Sequence, residues 1–300
     1  MTSVIIPIKS AGNEVRDLLA KLKTQTIQSE IIIVDSSCSD EAAGIAGSFG
    51  ARLVKVKKGE FDHGGTRTMA AKGAKGDILI FFTQDVLPFD DRSTENLVRP
   101  FEDETVGAAF GRQVPYPDAS PFAAHLRLFN YPETSSLRSI ADKEKFKIKT
   151  PFLSNAFSAY RKKALLEVGG FKERLILAED TYAGAKLLLA GYKIAYTADA
   201  AVYHSHDYTA FQEFQRYFDI GVFHESEGWI LEEFGRAEGE GMRYVSSGIS
   251  FLIHQGKRHL LPEFMIRNFM KYTGYFMGRN FERLPLGLTR RLSMHRHWWG

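Results

Sequence analysis

The chain has 300 residues, 44% hydrophobic and 25% charged, an ordinary globular composition that excludes disordered, collagen-like and disulfide-scaffold classes. Thirty-nine basic residues against 36 acidic ones leave a formal charge of +3, too mild to call for a nucleic-acid partner. The single cysteine, Cys38, rules out an intrachain disulfide and a cysteine-rich zinc site, so a cytoplasmic location is expected.

The start, Met1-Thr2-Ser3 running into Val4 to Ile8, lacks the basic segment and long apolar stretch of a signal peptide. Val4-Ile5-Ile6-Pro7-Ile8 is a buried-strand pattern, and Val15, Leu18, Leu19 and Leu22 recur at helical spacing behind it. A strand over 30–34, a helix over 42–49, a strand over 52–56, a helix over 66–74 and a strand over 77–82 follow. Strands alternating with helices predict an α/β fold with a mostly parallel sheet flanked by helices. Ligands in such folds gather at the carboxyl ends of strands, where Asp35 and Asp85 are expected to share a crevice. Residues 110–151 are more polar. An apolar run over 152–160 and a helix over 163–168 lead to Gly169-Gly170, and then come a helix over 181–189 and a strand over 193–203. The remainder is mostly helical, with Phe211, Phe214, Phe218 and Val222 at helical spacing. This divides the chain into a main domain over 1–208 and a helical extension over 209–300. No stretch approaches the ~20 apolar residues that cross a bilayer.

Several segments carry chemistry. Asp35 ends the run Ile31-Ile32-Ile33-Val34, where a carboxylate can accept a hydrogen bond from a base or ribose, while Asp40 or Ser39 suits the cap of the next helix. Asp62-His63-Gly64-Gly65-Thr66-Arg67 puts two glycines before a helix, so that free N–H groups and a guanidinium are available to a diphosphate, unless the pair is an ordinary turn. Thr83-Gln84-Asp85 follows an apolar strand, where a divalent cation bridging phosphate oxygens needs a carboxylate. Asp180 of Glu179-Asp180 is placed either as a helix N-cap or as a general base. In His204-Ser205-His206, alternation along an extended segment turns one imidazole to the metal, and His204 is the expected one.

Taken in this order, Asp35, Gly64-Gly65-Thr66-Arg67, Thr83-Gln84-Asp85, Glu179-Asp180 and His204 resemble the inverting family 2 glycosyltransferases of GT-A fold, over residues 2 to about 208. Phe61-Asp62-His63-Gly64-Gly65-Thr66-Arg67, Val86-Leu87-Pro88, His204-Ser205-His206 and the tail from Leu284 to Trp298 are similar to the bacterial rhamnosyltransferase branch. The resemblance implies that Asp35 reads the pyrimidine, that Pro7, Gly64, Gly65, Arg67 and Gln84 help bind substrate, and that Asp85 and His204 hold Mg²⁺ or Mn²⁺. Asp180 then deprotonates the acceptor, supported by Glu179. Thr83 stands where many members have a first aspartate, and Thr68 where asparagine is usual. The expected donor is dTDP-L-rhamnose and the expected acceptor a lipid-linked or surface saccharide. Another nucleotide sugar, such as a UDP-sugar, is the nearest alternative. A sugar-1-phosphate nucleotidyltransferase is more distant, because Pro7-Ile8-Lys9-Ser10-Ala11-Gly12 is no Gly- and Arg-rich loop. From Phe264 to Trp299, aromatic residues mix with Arg267, Lys271, Arg279, Arg283, Arg290, Arg291 and Arg296. That mixture suits either an anionic membrane surface, on the inner face of the cell membrane, or a cap or homo-oligomer contact.

Overall fold

The computed structural model describes residues 1–37, 39–236 and 239–300; Cys38 lies outside the described residues. Strands β1 (Thr2–Ile8), β2 (Glu30–Asp35), β3 (Arg52–Lys55) and β4 (Ile78–Phe82) alternate with helices α1 (Asn13–Lys23), α2 (Asp40–Ser48) and α3 (His63–Gly73). Then come β5 (Leu87–Pro88), α4 (Ser93–Val98), β6 (Val106–Val114), α5 (Pro121–Asn130), β7 (Ser136–Arg138), α6 (Lys143–Phe146), β8 (Phe157–Arg161), α7 (Lys162–Glu167), α8 (Glu179–Leu189) and β9 (Lys193–Tyr203). Helices α9 (Ala210–Ser226), α10 (Gly228–Phe234), α11 (Glu240–His254), α12 (Leu261–Gly278) and α13 (Leu286–Leu292) follow.

The strands form one mixed sheet in the order β3-β2-β1-β4-β8-β6-β9-β5, with β7 added on β9. Strands β1 to β4 are parallel, β6 and β9 run with them, and β8 runs the other way between β4 and β6. The carboxyl ends of six strands and the entrance to β8 therefore share one edge. Apolar clusters cover both faces of the sheet. One gathers Val15, Leu18, Leu19 and Leu22 of α1 with Ile45 of α2, and the other gathers Ala70, Leu165, Leu187 and Phe218.

Local chemistry explains the element ends. Ser39 Oγ accepts from Ala42 N at 3.2 Å and caps α2, so Ser39 rather than Asp40 is the cap. Strand β6 is absent from the sequence-based expectation because its run Val106-Gly107-Ala108-Ala109 has little β-branched character. Small residues are required there by packing: a Cβ on Gly111 would stand 2.3 Å from Phe157 Cδ1.

Beyond Thr209, Phe214, Phe218 and Val222 of α9 face inward and α12 packs along them. Glu213 of α9 sits between Lys271 at 3.3 Å and Arg267 at 3.6 Å, all nearly closed to solvent. Lys271 and Phe264 therefore belong to the interior, as in the cap reading of this segment, and not to an aromatic and basic membrane surface.

Candidate active site

At the shared edge, β1 and β4 part. Their pairing ends at Ile5 with Phe81, whereas β1 and β2 stay in register through Ile8 with Asp35. Pro7 lies in this opening, where a strand residue without an N–H breaks no bond to β4. Asp35 is buried. Its Oδ1 accepts from Ser37 N at 2.7 Å and from Ser37 Oγ at 2.5 Å, while Oδ2 is buried without a partner. A buried acceptor left unmatched costs about 1–3 kcal/mol. Gln84 joins the two loops of the opening, accepting from Lys9 N at 2.9 Å and donating to Glu14 at 3.3 Å.

Asp85 comes three residues after the end of β4 and faces the end of β9. Its Oδ2 lies 3.3 Å from His204 Nε2 and 3.4 Å from His206 Nε2, and the two imidazole nitrogens are 3.0 Å apart. Both histidines thus converge, which corrects the expectation that strand alternation admits only His204. β9 ends at Tyr203, so alternation no longer governs the chain there. His206 stacks on Tyr208. Burial raises the Asp85 carboxyl, but the hydrogen bond and charge of His204 outweigh it and hold it well below the usual carboxylate range. Burial lowers both imidazoles, His206 to about 4.

Gln113, near the end of β6, fixes one of these rings. Its amide nitrogen donates to Ser154 Oγ at 2.8 Å, which turns its oxygen toward His204 Nδ1 at 2.8 Å. The N–H is thereby kept on His204 Nδ1, so that on binding an ion Nε2 gives up its proton, and with it the hydrogen bond to Asp85, and presents its lone pair. Three ligand atoms from Asp85, His204 and His206 consequently meet at a point that calls for a positive charge, all within 4.8 Å of one another. One carboxylate with two neutral imidazoles is a donor set that suits a divalent transition ion such as Mn²⁺. Arg127 Nε donates to the His204 carbonyl at 2.9 Å, and Tyr116 OH to the Asp85 carbonyl at 3.2 Å.

Glu179 and Asp180 open α8, which starts two residues earlier than expected. Its N-cap residue, Ala178, has φ 63°, a left-handed conformation uncommon outside glycine. Asp180 is therefore inside the first turn and is not the cap. Its Oδ1 accepts from Thr181 N at 2.7 Å and its Oδ2 from Asn155 N at 3.0 Å. Asn155 Nδ2 donates to Glu179 Oε1 at 3.2 Å, and Asn155 Oδ1 accepts from Ser158 and Tyr160, each at 2.8 Å. Burial, and next the neighbouring Glu179 charge, push Asp180 up to about 6. Glu179 moves the other way: burial raises it, but the Arg67 guanidinium at 2.9 Å outweighs that and keeps it ionised.

That ion pair changes the reading of the glycine segment. The glycines lie in the first turn of α3, which begins at His63, and Asp62 Oδ1 caps it by accepting from Gly65 N at 2.6 Å. The Gly65 N–H is thus not free for a diphosphate. Gly64 answers a packing need, since a Cβ there would stand 1.9 Å from the Lys172 carbonyl oxygen. Arg67 is buried, donates to the His63 carbonyl at 3.2 Å and faces Glu179 instead of an open phosphate site.

Gln113, His206 and Asn155 escaped sequence reasoning as site residues. For Gln113 and Asn155 no local pattern gives a signal, because each acts through a partner on a distant strand or helix. For His206 the signal was its spacing from His204.

Residues 3–169 match the family model described as Glycosyl transferase family 2. The chain is 43% identical to the O-antigen chain rhamnosyltransferase RfbN of Salmonella typhimurium over 99% of its own length and 95% of that protein's. It is 41% identical, over the same shares, to the O-antigen chain rhamnosyltransferase WbaN of Salmonella anatum. In fold it is similar to the mannosyltransferase PcManGT from Pyrobaculum calidifontis, solved with GDP-Man and Mn²⁺, with TM-score 0.60, 17% identity and coverage of 99% of this chain and 84% of that one. S. aureus TarS with UDP-GlcNAc gives TM-score 0.53 at 15% identity, covering 94% of this chain and 91% of that one. These neighbours share the GT-A arrangement of a mixed, mostly parallel sheet between helices. With a family match over more than half its length and relatives similar from end to end, the chain belongs to glycosyl transferase family 2.

Proposed function

We propose that the chain moves rhamnose from dTDP-L-rhamnose to a hydroxyl of a lipid-linked or surface-polysaccharide saccharide, with inversion. The observation that carries this reading is the placement of two carboxylates at one sheet edge, Asp85 with imidazole nitrogens at 3.3 and 3.4 Å that hold it low, and Asp180 bonded to Asn155 N and Thr181 N beside ionised Glu179, which with burial raises it to about 6. Groups pushed apart in this way divide into an ion ligand and a proton acceptor. The likeness to two O-antigen rhamnosyltransferases supports the sugar.

Asp85, His204 and His206 would hold a divalent cation, Mg²⁺ or Mn²⁺, which when bound offsets negative charge on the departing diphosphate. Asp35 Oδ2 accepts the ring N–H of the pyrimidine, which satisfies its unmatched oxygen. Pro7 and Gln84 shape the opening where the nucleoside enters. Asp180 takes the proton of the acceptor hydroxyl as that oxygen attacks the anomeric carbon and the bond to the diphosphate breaks. Ionised Glu179, fixed by Arg67 and Asn155, keeps Asp180 basic. Arg67 therefore acts on the base side, with no direct diphosphate contact.

The acceptor side is consistent with work at a membrane surface. No helix among the described residues is long and apolar enough to cross one. Helix α12 nevertheless exposes Met265, Ile266, Phe269, Tyr272 and Phe276 at helical spacing, and Glu263 is its one exposed residue that carries charge on this helix. Exposed Arg258 precedes it and exposed Arg283 follows it. An exposed aromatic and aliphatic stripe, flanked by Arg258 with Glu263 at one end and Glu282 with Arg283 at the other, suits a bilayer interface through its apolar side chains.

A thermal-shift panel of dTDP, UDP, GDP and dTDP-rhamnose with and without Mn²⁺ tests the donor, because a ligand of the native state raises its Tm. A Mn²⁺-dependent rise with the dTDP compounds is expected. Preference for UDP or GDP would replace the sugar assignment while keeping the family.

A further inference from the structure

Beyond the sheet-edge site, the segment after α13 makes contacts that no role in donor or acceptor binding accounts for. Asp219 of α9 is fully buried, and its Oδ2 accepts from Met294 N at 3.0 Å, His295 N at 3.1 Å and His295 Nδ1 at 2.8 Å. Gln215, one turn earlier, donates to the carbonyls of Arg291 at 3.1 Å and Ser293 at 3.2 Å. Trp299 packs on Phe218 and Phe281. This segment is fastened, and what it reaches is the loop that carries the base.

Two contacts lead there. Trp298 Nε1 donates to the Arg174 carbonyl at 3.0 Å, while Arg174 N donates to Asp62 Oδ2 at 3.0 Å, so Arg174 is held from both sides in a left-handed conformation with φ 56°. Arg174 lies in the loop that ends at Ala178, itself at φ 63°, immediately before Glu179 and Asp180. The second contact is the edge of His295 against His63, with ring centroids 6.2 Å apart. His63 Nδ1 is 3.3 Å from the Arg67 nitrogen that pairs with Glu179. Two positive φ values in a loop of non-glycine residues are costly and persist only where surrounding contacts impose them.

We propose that residues 293–299 are a strap that positions the catalytic base, with Trp298 and His295 as positioning residues and Asp219 as their anchor. The proposal rests on Asp180 as the base. Its physical content is geometric: a base must sit within hydrogen-bond reach of the proton it takes, and small displacements are costly in rate. The nucleotide and ion sites stand on strand ends that the strap does not touch, so they are expected to be indifferent to it.

Trp298→Phe removes the N–H donor and leaves a smaller aromatic ring, and His295→Ala removes the link to His63 and the ring bond to Asp219 while the backbone bonds to Asp219 remain. In both full-length variants, turnover of dTDP-rhamnose with a membrane-extracted saccharide acceptor should fall roughly 10- to 100-fold. Calorimetric affinity for dTDP with Mn²⁺ should be unchanged, and trypsin should nick the chain after Arg174 faster than in the parent. Parent-like turnover and nicking in both variants would overturn the strap. So would a loss of dTDP affinity in step with turnover, which marks general loosening. If the parent itself does not use dTDP-rhamnose, the donor assignment fails, and the nicking rates alone decide whether the strap exists.

Discussion

At the metal corner, Asp85, His204 and His206 each stand within three residues of a strand end, and the sheet alone brings them together. The base side is built otherwise. Arg67 comes from α3, Asn155 from the approach to β8, Glu179 and Asp180 from the start of α8, and the loop before them is held by Trp298. A corner made of strand ends inherits the rigidity of the ladder, whereas the base depends on a chain of side-chain contacts spanning most of the sequence. Local changes should therefore damage the first in proportion to the atom removed, and the second through propagation.

The largest expected effect is on the base itself. Asp180→Asn should keep nucleotide affinity and lose about 100- to 10,000-fold in turnover, because an amide cannot take the proton. Near-normal turnover in a steady-state assay would remove Asp180 from the chemistry. On the opposite side, Asp85→Ala should abolish the Mn²⁺-dependent part of dTDP binding in calorimetry, since two neutral imidazoles remain without the carboxylate. Equal affinity with and without Mn²⁺ in the parent would discard the corner as an ion site.

Propagation is tested by Arg67→Ala, which leaves Glu179 buried without its cation. A loss of about 3–5 kcal/mol is expected in urea unfolding. The same substitution bears on pH dependence. The base works deprotonated, so turnover should rise with pH through about 6, the region to which burial and Glu179 raise Asp180. Arg67 keeps Glu179 ionised, and the Glu179 charge raises Asp180 more than Arg67 itself lowers it, so removing Arg67 should let Glu179 take a proton and carry this acid limb to lower pH. An unmoved limb would detach Arg67 from the base. The smallest effect is expected from Gln113→Leu, which frees His204 to rotate and change tautomer. Ion affinity followed by Mn²⁺ electron paramagnetic resonance should weaken by about tenfold, with the fold unaltered.

Most of the first half of the fold was legible because each element there satisfies a local rule. Val15, Leu18, Leu19 and Leu22 mark α1 by period, and Ile31 to Val34 mark β2 as a continuous apolar run. β6 was not legible, because its glycines and alanines answer to Phe157 across the sheet rather than to strand propensity. The same division holds in the site. Asp35 and Asp85 could be placed from strand ends alone, while the glycine pair stayed open between an anion cradle and an ordinary turn because the Asp62 cap and the approach of Lys172 are invisible in sequence. In the tail, composition left a membrane face and a packed cap as alternatives; the structure turns Phe264, Lys271 and Trp299 inward and leaves the stripe from Met265 to Phe276 outside.

The sequence by itself determined the α/β alternation, the sheet edge at which ligands gather and the residue types available there, since periodicity and strand-end placement are properties of neighbouring residues. Only the tertiary structure decided that two histidines join Asp85, that Arg67 serves Glu179, and that a tryptophan 124 residues away holds the carbonyl of Arg174. Those outcomes depend on which surfaces are buried against each other, and burial, which here sets both pairing and protonation, is not a local property of the chain.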